Sequence, residues 1–482
     1  MTAAVQNTKS SNKLIMAVML FGAFISILNQ TLLVAALPSI MRDLQVTANQ
    51  VQWLTTGFML VNGIMIPVTA FLINKLTNRQ LYLGAMTIFA IGTGIAAFAP
   101  NFHILLFSRI LQAIGAGVIM PMMQTVMLYL FPKEQRGYAM GIMGIVIGFA
   151  PAIGPTLSGF LVDALSWHAL FYVVCPIAIL NIVISYFLMR NMMERTNPKL
   201  DILSVILSTI GFGGLLYGFS NAGSEGWLHL SAWLPIVIGI LVLIVFVFRQ
   251  LKLEEPLLEL RVFRSKSFVY GTLLAMLMFS MMISAENQLP MYIQTARGYS
   301  ALTSGLTLLP GAIVVGIMSP VTGKLFDKFG PRLLALLGLG ITFVTTLFFA
   351  FISMETPLWD ITLIYMFRLL GISMLSMPMT TWGINGLENR HLAHGTAVNA
   401  TLRQVTASLM TALLITVMTS SANKAAADGL DAAAAMVHGI DVSFMVTLVI
   451  ILLLFIFSFF FVHDYEQIAA IHQKKPQQAK GR

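Results

Sequence analysis

Four charged side chains stand in apolar runs of this sequence, where hydrocarbon is expected around the chain. They are Arg109 in LLFSRILQAIGAG, Arg368 in IYMFRLLGIS, Arg403 in NATLRQVTASL and Glu286 in MFSMMISAENQLPMYIQ. Amides accompany them: Gln112 follows Arg109 by three residues, Gln404 adjoins Arg403, and Asn287 and Gln288 follow Glu286. A further pair, Asn29 and Gln30, interrupts ILNQTLLVAALP. The chemistry on offer is the movement of a proton or a guest rather than bond-making. An acid in hydrocarbon can gain and lose a proton as its surroundings change, a guanidinium there must face polar partners instead of lipid, and amides can hold a guest without titrating. No nucleophile is paired with a base, no Cys/His cluster has ligand spacing, and the single Cys175 has no partner in the chain. An enzyme, a metal site and an organic cofactor are therefore not expected.

Such residues need a frame that crosses a bilayer. Of 482 residues 57% are hydrophobic and 10% charged, far below the roughly 25% charged residues of a soluble domain. A crossing takes roughly 20 apolar residues, and the hydropathy gives fourteen candidates, near 14–37, 51–73, 80–99, 103–130, 138–162, 168–189, 202–220, 230–249, 268–292, 302–325, 332–353, 359–384, 394–420 and 441–462. The chain reads as an all-α integral membrane protein. With the N-terminus in the cytoplasm, 22 of the 28 Lys and Arg fall in cytoplasmic segments, three lie outside (Arg42, Arg297, Lys424) and three lie in spans. That asymmetry orients the chain with both termini cytoplasmic. It also accounts for the net charge of +9, so no nucleic-acid partner is expected, while anionic membrane lipid is. The N-terminal segment lacks a cleavage site and is read as a retained tail.

The spans group as 6 + 2 + 6: a tail at 1–13, a six-helix bundle at 14–190, an inserted two-helix segment with its links at 191–267, a second bundle at 268–462 and a tail at 463–482. Two short basic turns, AFLINKLTNRQL (70–81) and GKLFDKFGPRLL (323–334), occupy matching places in the two bundles. Parallel repeats of this kind place a site near the midplane, between halves that rock.

GKLFDKFGPR resembles the loop signature of the major facilitator superfamily, in which glycine packs tightly and aspartate pairs with basic side chains. It implies a cytoplasmic gate of Gly323, Asp327, Lys328 and Arg332. The first copy departs from the pattern, with Ala70, Asn74 and Thr77 where glycine, aspartate and glycine are usual; it keeps Lys75 and Arg79. LLFSRILQAIGAG is similar to the superfamily signature built around an intramembrane arginine, and Gly115 and Gly117 beside it let a neighbour come close. GIMGIVIGFAPAIGPTLSG (141–159), with Gly148, Pro151, Gly154, Pro155 and Gly159, resembles the antiporter signature of the drug exporters, Ser158 replacing one closing glycine. VQWLTTGFMLVNG, SWHALFYVVCPIAIL and NATLRQVTASL extend the likeness to the fourteen-span drug:proton antiporter family, of the lincomycin-resistance type.

The resemblance implies a major facilitator fold and secondary export of amphipathic or cationic drugs in exchange for protons, by a monomer in a bacterial cell membrane. No ATP-binding loop is present. Relatives carry an acid in the first helix where this chain has Asn29 and Gln30. Either coupling has moved elsewhere, or Gln30 stands in place of a native glutamate. The remaining intramembrane acid makes Glu286 the expected proton carrier, with Arg109 tuning it. Asn29, Gln30, Gln112, Met282, Asn287, Gln288, Trp382, Arg403 and Gln404 are the expected lining of the cavity. The alternative cargo is a lipid, metabolite or osmolyte, moved without proton coupling.

Overall fold

A computed structural model of the chain describes residues 2–192 and 200–463. It is helical throughout, with no strand among the described residues. The first six helices are α1 (Thr2–Asp43), α2 (Ala48–Lys75), α3 (Asn78–Ala97), α4 (Phe102–Leu130), α5 (Arg136–Ala164) and α6 (His168–Leu188). A pair follows, α7 (Ile202–Glu225) and α8 (Leu230–Lys252). The remainder is α9 (Lys266–Pro290), α10 (Ala301–Phe329), α11 (Pro331–Phe349), α12 (Leu358–Ser373), α13 (Ser376–Asn385), α14 (Leu392–Ala427) and α15 (Ala432–Phe461). Fourteen spans have the length and composition to cross a membrane, α12 and α13 forming one of them.

Local chemistry sets the ends. Thr47 and Thr77 open α2 and α3 with capping boxes closed by Gln50 and Gln80, satisfying backbone N–H groups that have no helical partner. Two interiors depart from the hydropathy reading. The span expected at 359–384 breaks at Met374 and Leu375, where the Pro378 ring opposes the carbonyl four residues earlier and withholds its N–H. Pro290 does the same to the Glu286 carbonyl, and the chain leaves α9 through a π-helical turn, Met291–Ala296. The last span also starts earlier than expected, at Ala432 rather than 441, because the small-residue run AAAAMVHGI is helical but only weakly apolar. The expected tail at 463–482 and the middle of the link 190–201 fall outside the described residues, apart from their ends.

One buried core is made by α1–α6 and a second by α9–α15. The two bundles touch along α5/α10 and α2/α14. At the end that carries most of the basic loops, the first core takes in Met377, Ile384, Leu387, Leu392 and Val398 from the second bundle, so the bundles are closed on each other there. The inserted pair packs on itself at small residues. A Cβ on Gly214 would lie 2.8 Å from the Pro235 carbonyl oxygen, and one on Gly239 equally close to that of Gly211. The pair leans on α2 and α14.

Asp201, just before α7, receives two guanidinium hydrogen bonds from Arg249 of α8, at 2.7 and 2.9 Å. Arg249 pulls the Asp201 carboxyl down to about 2. A carboxyl lowered in the folded state stabilises above its unfolded value near 3.9 and loses that contribution as pH falls towards 2. Asp201→Asn is therefore expected to lower the thermal midpoint at pH 7, with the gap to wild type closing between about pH 4 and pH 2. A gap independent of pH would contradict the assignment.

Candidate functional site

Arg109 and Gln112 lie one turn apart on α4 and are fully buried. Arg109 donates from Nε to the Leu54 carbonyl (3.2 Å) and from Nη1 to Gln112 Oε1 (2.7 Å), and its guanidinium lies 4.2 Å from the centre of the Phe58 ring. The same Gln112 oxygen accepts from Asn29 Nδ2 (3.1 Å), while Gln112 Nε2 donates to Thr93 Oγ1 (3.1 Å). One polar network thus ties α1, α2, α3 and α4. Gly92 and Gly115 permit it: a Cβ on Gly115 would lie 2.5 Å from the Ala85 carbonyl oxygen, and one on Gly92 2.8 Å from that of Ser108. This corrects the expectation for Asn29 and Gln112. At 2% and 0% exposure, with partners, they join helices within the bundle rather than lining open space. Gln30, the next residue, is half-buried.

Glu286 sits in the second bundle, and its described electrostatic neighbour is Tyr365 of α12, not Arg109. Arg109 donates to the Leu54 carbonyl of α2 and to Gln112 of α4 and leaves Nη2 without a partner, so the expected tuning of Glu286 by Arg109 has no contact behind it. Six residues further along, Tyr292 donates to the Ser353 carbonyl in the loop before α12, which puts Glu286 about 9 Å deeper than that loop. The glutamate is half-buried there. Asn287 is exposed and donates back to the Ile283 carbonyl (2.9 Å). Gln288 is buried with Oε1 unpartnered. Met282 is half-buried, and Trp382 belongs to the second core at 8% exposure. Arg403 lies 4.2 Å from the centre of the Phe279 ring of α9, and Gln404 approaches Gly63 of α2.

Two groups here have no assigned role in the sequence reading of the site: Arg368, singled out there only as a charge in an apolar run, and Asp441. Arg368, at 1% exposure, donates to Thr346 of α11 and leaves Nε and Nη2 unpartnered. Its place on α12 echoes that of Arg109 on α4: each begins an R-[IL]-L run that leads to an M-P-M triplet, at 120–122 and 377–379. Asp441, at the expected start of the last span, lies nine residues inside α15 with a buried, unpartnered Oδ1. Among the described residues no three of His, Cys, Asp and Glu come together as a metal site requires.

The seam between bundles is built from glycine. A Cβ on Gly148 would lie 2.8 Å from Val315 Cγ1, and one on Gly144 would lie 2.5 Å from the Ser319 side chain. Gly323 and Gly137 lie back to back, with no room for a side chain. Gly154 instead packs on Thr31 of α1, and Gly159 has no neighbour within 4 Å, so the signature splits between two interfaces and its last glycine serves neither. Pro151 is half-buried, and the Pro155 side chain lies outside those described.

The basic end closes differently from expectation. Asp327 accepts the backbone N–H groups of Gly137 (2.9 Å) and Tyr138 (2.8 Å), placing a carboxylate on the N-terminus of α5, where orphan donors and the helix dipole favour it. Lys324 lies over the Tyr138 ring, and Lys328 over that of its neighbour Phe329. Arg332 reaches the Phe459 carbonyl (3.3 Å). Arg136 crosses to Asn385 and Asn389 (3.1 and 3.3 Å). In the first copy, Asn74 meets His394 Nε2 of α14 at 3.1 Å, while His394 Nδ1 accepts the Glu259 N–H (3.3 Å) from the link after the inserted pair. The imidazole therefore joins both bundles and the insert. Arg79 stays within the first bundle, donating to the Tyr186 carbonyl (2.7 Å). Asn74→Leu is expected to cost the closed form about 1 kcal/mol, roughly a fivefold loss in its population relative to the open form, measurable by spin-label distances across this end. An unchanged distribution would remove the contact from the latch.

The model of the Major Facilitator Superfamily matches residues 19–411. The chain belongs to the major facilitator superfamily. Within the superfamily it is 50% identical over 459 residues to the MFS-type transporter YcnB of Bacillus subtilis, covering 95% of this chain and 97% of that one. It is 40% identical over 454 residues to the lincomycin resistance protein LmrB of the same organism, covering 92% and 95%. Among solved structures, the human organic anion transporter MFSD10 superposes with a TM-score of 0.64 over 91% of this chain and 99% of that one. At 13% identity that likeness speaks for the superfamily fold alone. The protein is thus a multi-pass membrane protein of fourteen apolar spans whose relatives are transporters.

Proposed function

We propose that this protein is a secondary active exporter of amphipathic drugs, working by alternating access and exchanging cargo for protons. Its likeness to lincomycin resistance proteins supports drug export. The observation that carries the coupling is Glu286, an acid about 9 Å below the outer loops in a bundle whose basic end is shut. The basic end is the cytoplasmic one by the positive-inside rule, both termini lie there, and the membrane is the bacterial cell membrane. In this reading the shut latch defines the state open to the outside.

Glu286 takes its proton from that side. Because a carboxylate is costly in hydrocarbon, the acid turns inward only when protonated or when a cargo group answers its charge, which links proton entry to drug exit. Gln30, Asn287, Gln288, Met282, Trp382, Arg403 and Gln404 offer the cargo surface, and the methionine adapts to varied shapes. Asp327, Arg136 and the Asn74–His394 contact form the cytoplasmic gate, and Gly144 and Gly148 the surface on which α5 and α10 re-pack. Accumulation of a fluorescent drug inside inverted vesicles should collapse when an ionophore dissipates the proton gradient. Accumulation that survives collapse would favour the uncoupled transporter of a lipid, metabolite or osmolyte, to which the non-titrating Asn29 and Gln30 lend their one observation.

A further inference from the structure

Among the described residues no acid answers Arg403. It stands eleven residues into α14 from Leu392, about 17 Å along the helix and thus deep in the membrane, with 9% of its surface exposed. Among the described residues none gives it a hydrogen-bond acceptor or a carboxylate; its one described partner is the Phe279 ring, 4.2 Å from the guanidinium carbon. The other two intramembrane arginines are placed differently. Arg109 and Arg368 are sealed inside their bundles at 0% and 1% exposure and donate to groups on neighbouring helices. A planar guanidinium laid on an aromatic face keeps its N–H edge free for a second, in-plane partner. The ring offsets only part of the cost of an unpaired buried charge.

The segment that carries Arg403 faces the division between the bundles, because Gln404 beside it reaches α2: a Cβ on Gly63 would lie 3.5 Å from Gln404 Cγ. One turn along, Thr406 donates to the Met276 sulfur of α9 (3.6 Å), so the surroundings on α9 are aromatic and thioether. The place is an unanswered cation beside an adaptable apolar wall.

We propose that Arg403 reads a negative charge on the cargo, which is an amphiphile bearing a carboxylate or sulfonate whose apolar body packs on Phe279 and Met276. The proposal rests on the export reading above and deepens it, replacing a cationic cargo with an anionic one. A cation would meet like charge at this point. Export of an anion against inward movement of a proton also carries net positive charge inward, so an inside-negative potential drives both halves.

Fluorescein and rhodamine 6G share a xanthene body and differ in the sign of their charge. Each is titrated by fluorescence anisotropy against the purified full chain in phosphatidylcholine nanodiscs at neutral pH. Fluorescein is expected to bind at least about tenfold more tightly. Arg403→Gln should remove that preference, weakening fluorescein and, with the like charge gone, binding rhodamine 6G more tightly than the wild type does, and Arg403→Lys, which keeps the charge and loses the fork, should fall between. Rhodamine 6G binding as tightly as fluorescein to the wild-type chain overturns the proposal, and that comparison needs no variant to fold. So does an anion preference that persists in Arg403→Gln. Adding phosphatidylglycerol to the disc separates two sources of the same charge: competition lost in Arg403→Gln assigns the anion site to a lipid headgroup, and its absence assigns it to free cargo. If fluorescein is preferred while ionophores leave transport unaffected, proton coupling fails and the anion site stands.

Discussion

Gly323→Leu is expected to hold the basic end of the two bundles apart and to reduce transport at least tenfold. Gly323 of α10 lies against the Gly137 carbonyl of α5, so the obstacle to a side chain is backbone, which cannot rotate out of the way. Overpacking of this kind costs about 2–3 kcal/mol, and here it falls only on the closed form, since the clash partner belongs to the other bundle. The equilibrium should shift roughly 30- to 150-fold towards the open form. Asp327 then loses the Gly137 and Tyr138 donors as well, so the two effects add in the same direction. Spin labels on the loops at 131–135 and 385–391 should report a lengthened distance in Gly323→Leu and a smaller change in Gly323→Ala. A wild-type distance in both would mean that this seam does not separate during the cycle.

The second large effect is expected at Glu286. Glu286→Gln keeps the shape and the hydrogen-bonding capacity of the neutral acid and removes the proton that can leave. If that proton is what couples, cargo should still bind and exchange passively, while uphill export falls by a factor of 100 or more, on the order of a lost essential group. Gln30→Glu, by contrast, is expected to leave export unimproved, because the acid of the cycle lies in the other bundle.

The frame was legible from hydropathy because a bilayer demands long apolar runs and tolerates few charges. Helix ends were less so. The Ala-rich start of α15 carries little apolar signal, and reading its start at 441 hid an intrahelical acid, Asp441, among the loop acids. The need of Arg109 and Asn29 for polar partners followed from their setting, but the sharing of the single Gln112 oxygen depends on how α1 and α4 cross. His394 was beyond reach for the same reason: its partners, Asn74 and Glu259, come from distant parts of the chain. The sequence marks Asp327 as a latch but not its partners, since the N–H groups at the start of α5 carry no mark in the sequence.

The central claim is that one carboxylate moves the proton that drives export. Its most direct test is drug-evoked proton flux in proteoliposomes of wild type and Glu286→Gln, with passive drug exchange measured in the same vesicles. The account predicts flux in the wild type, none above background in the variant, and passive exchange within a few-fold in both. Equal drug-evoked flux in the two proteins would contradict it.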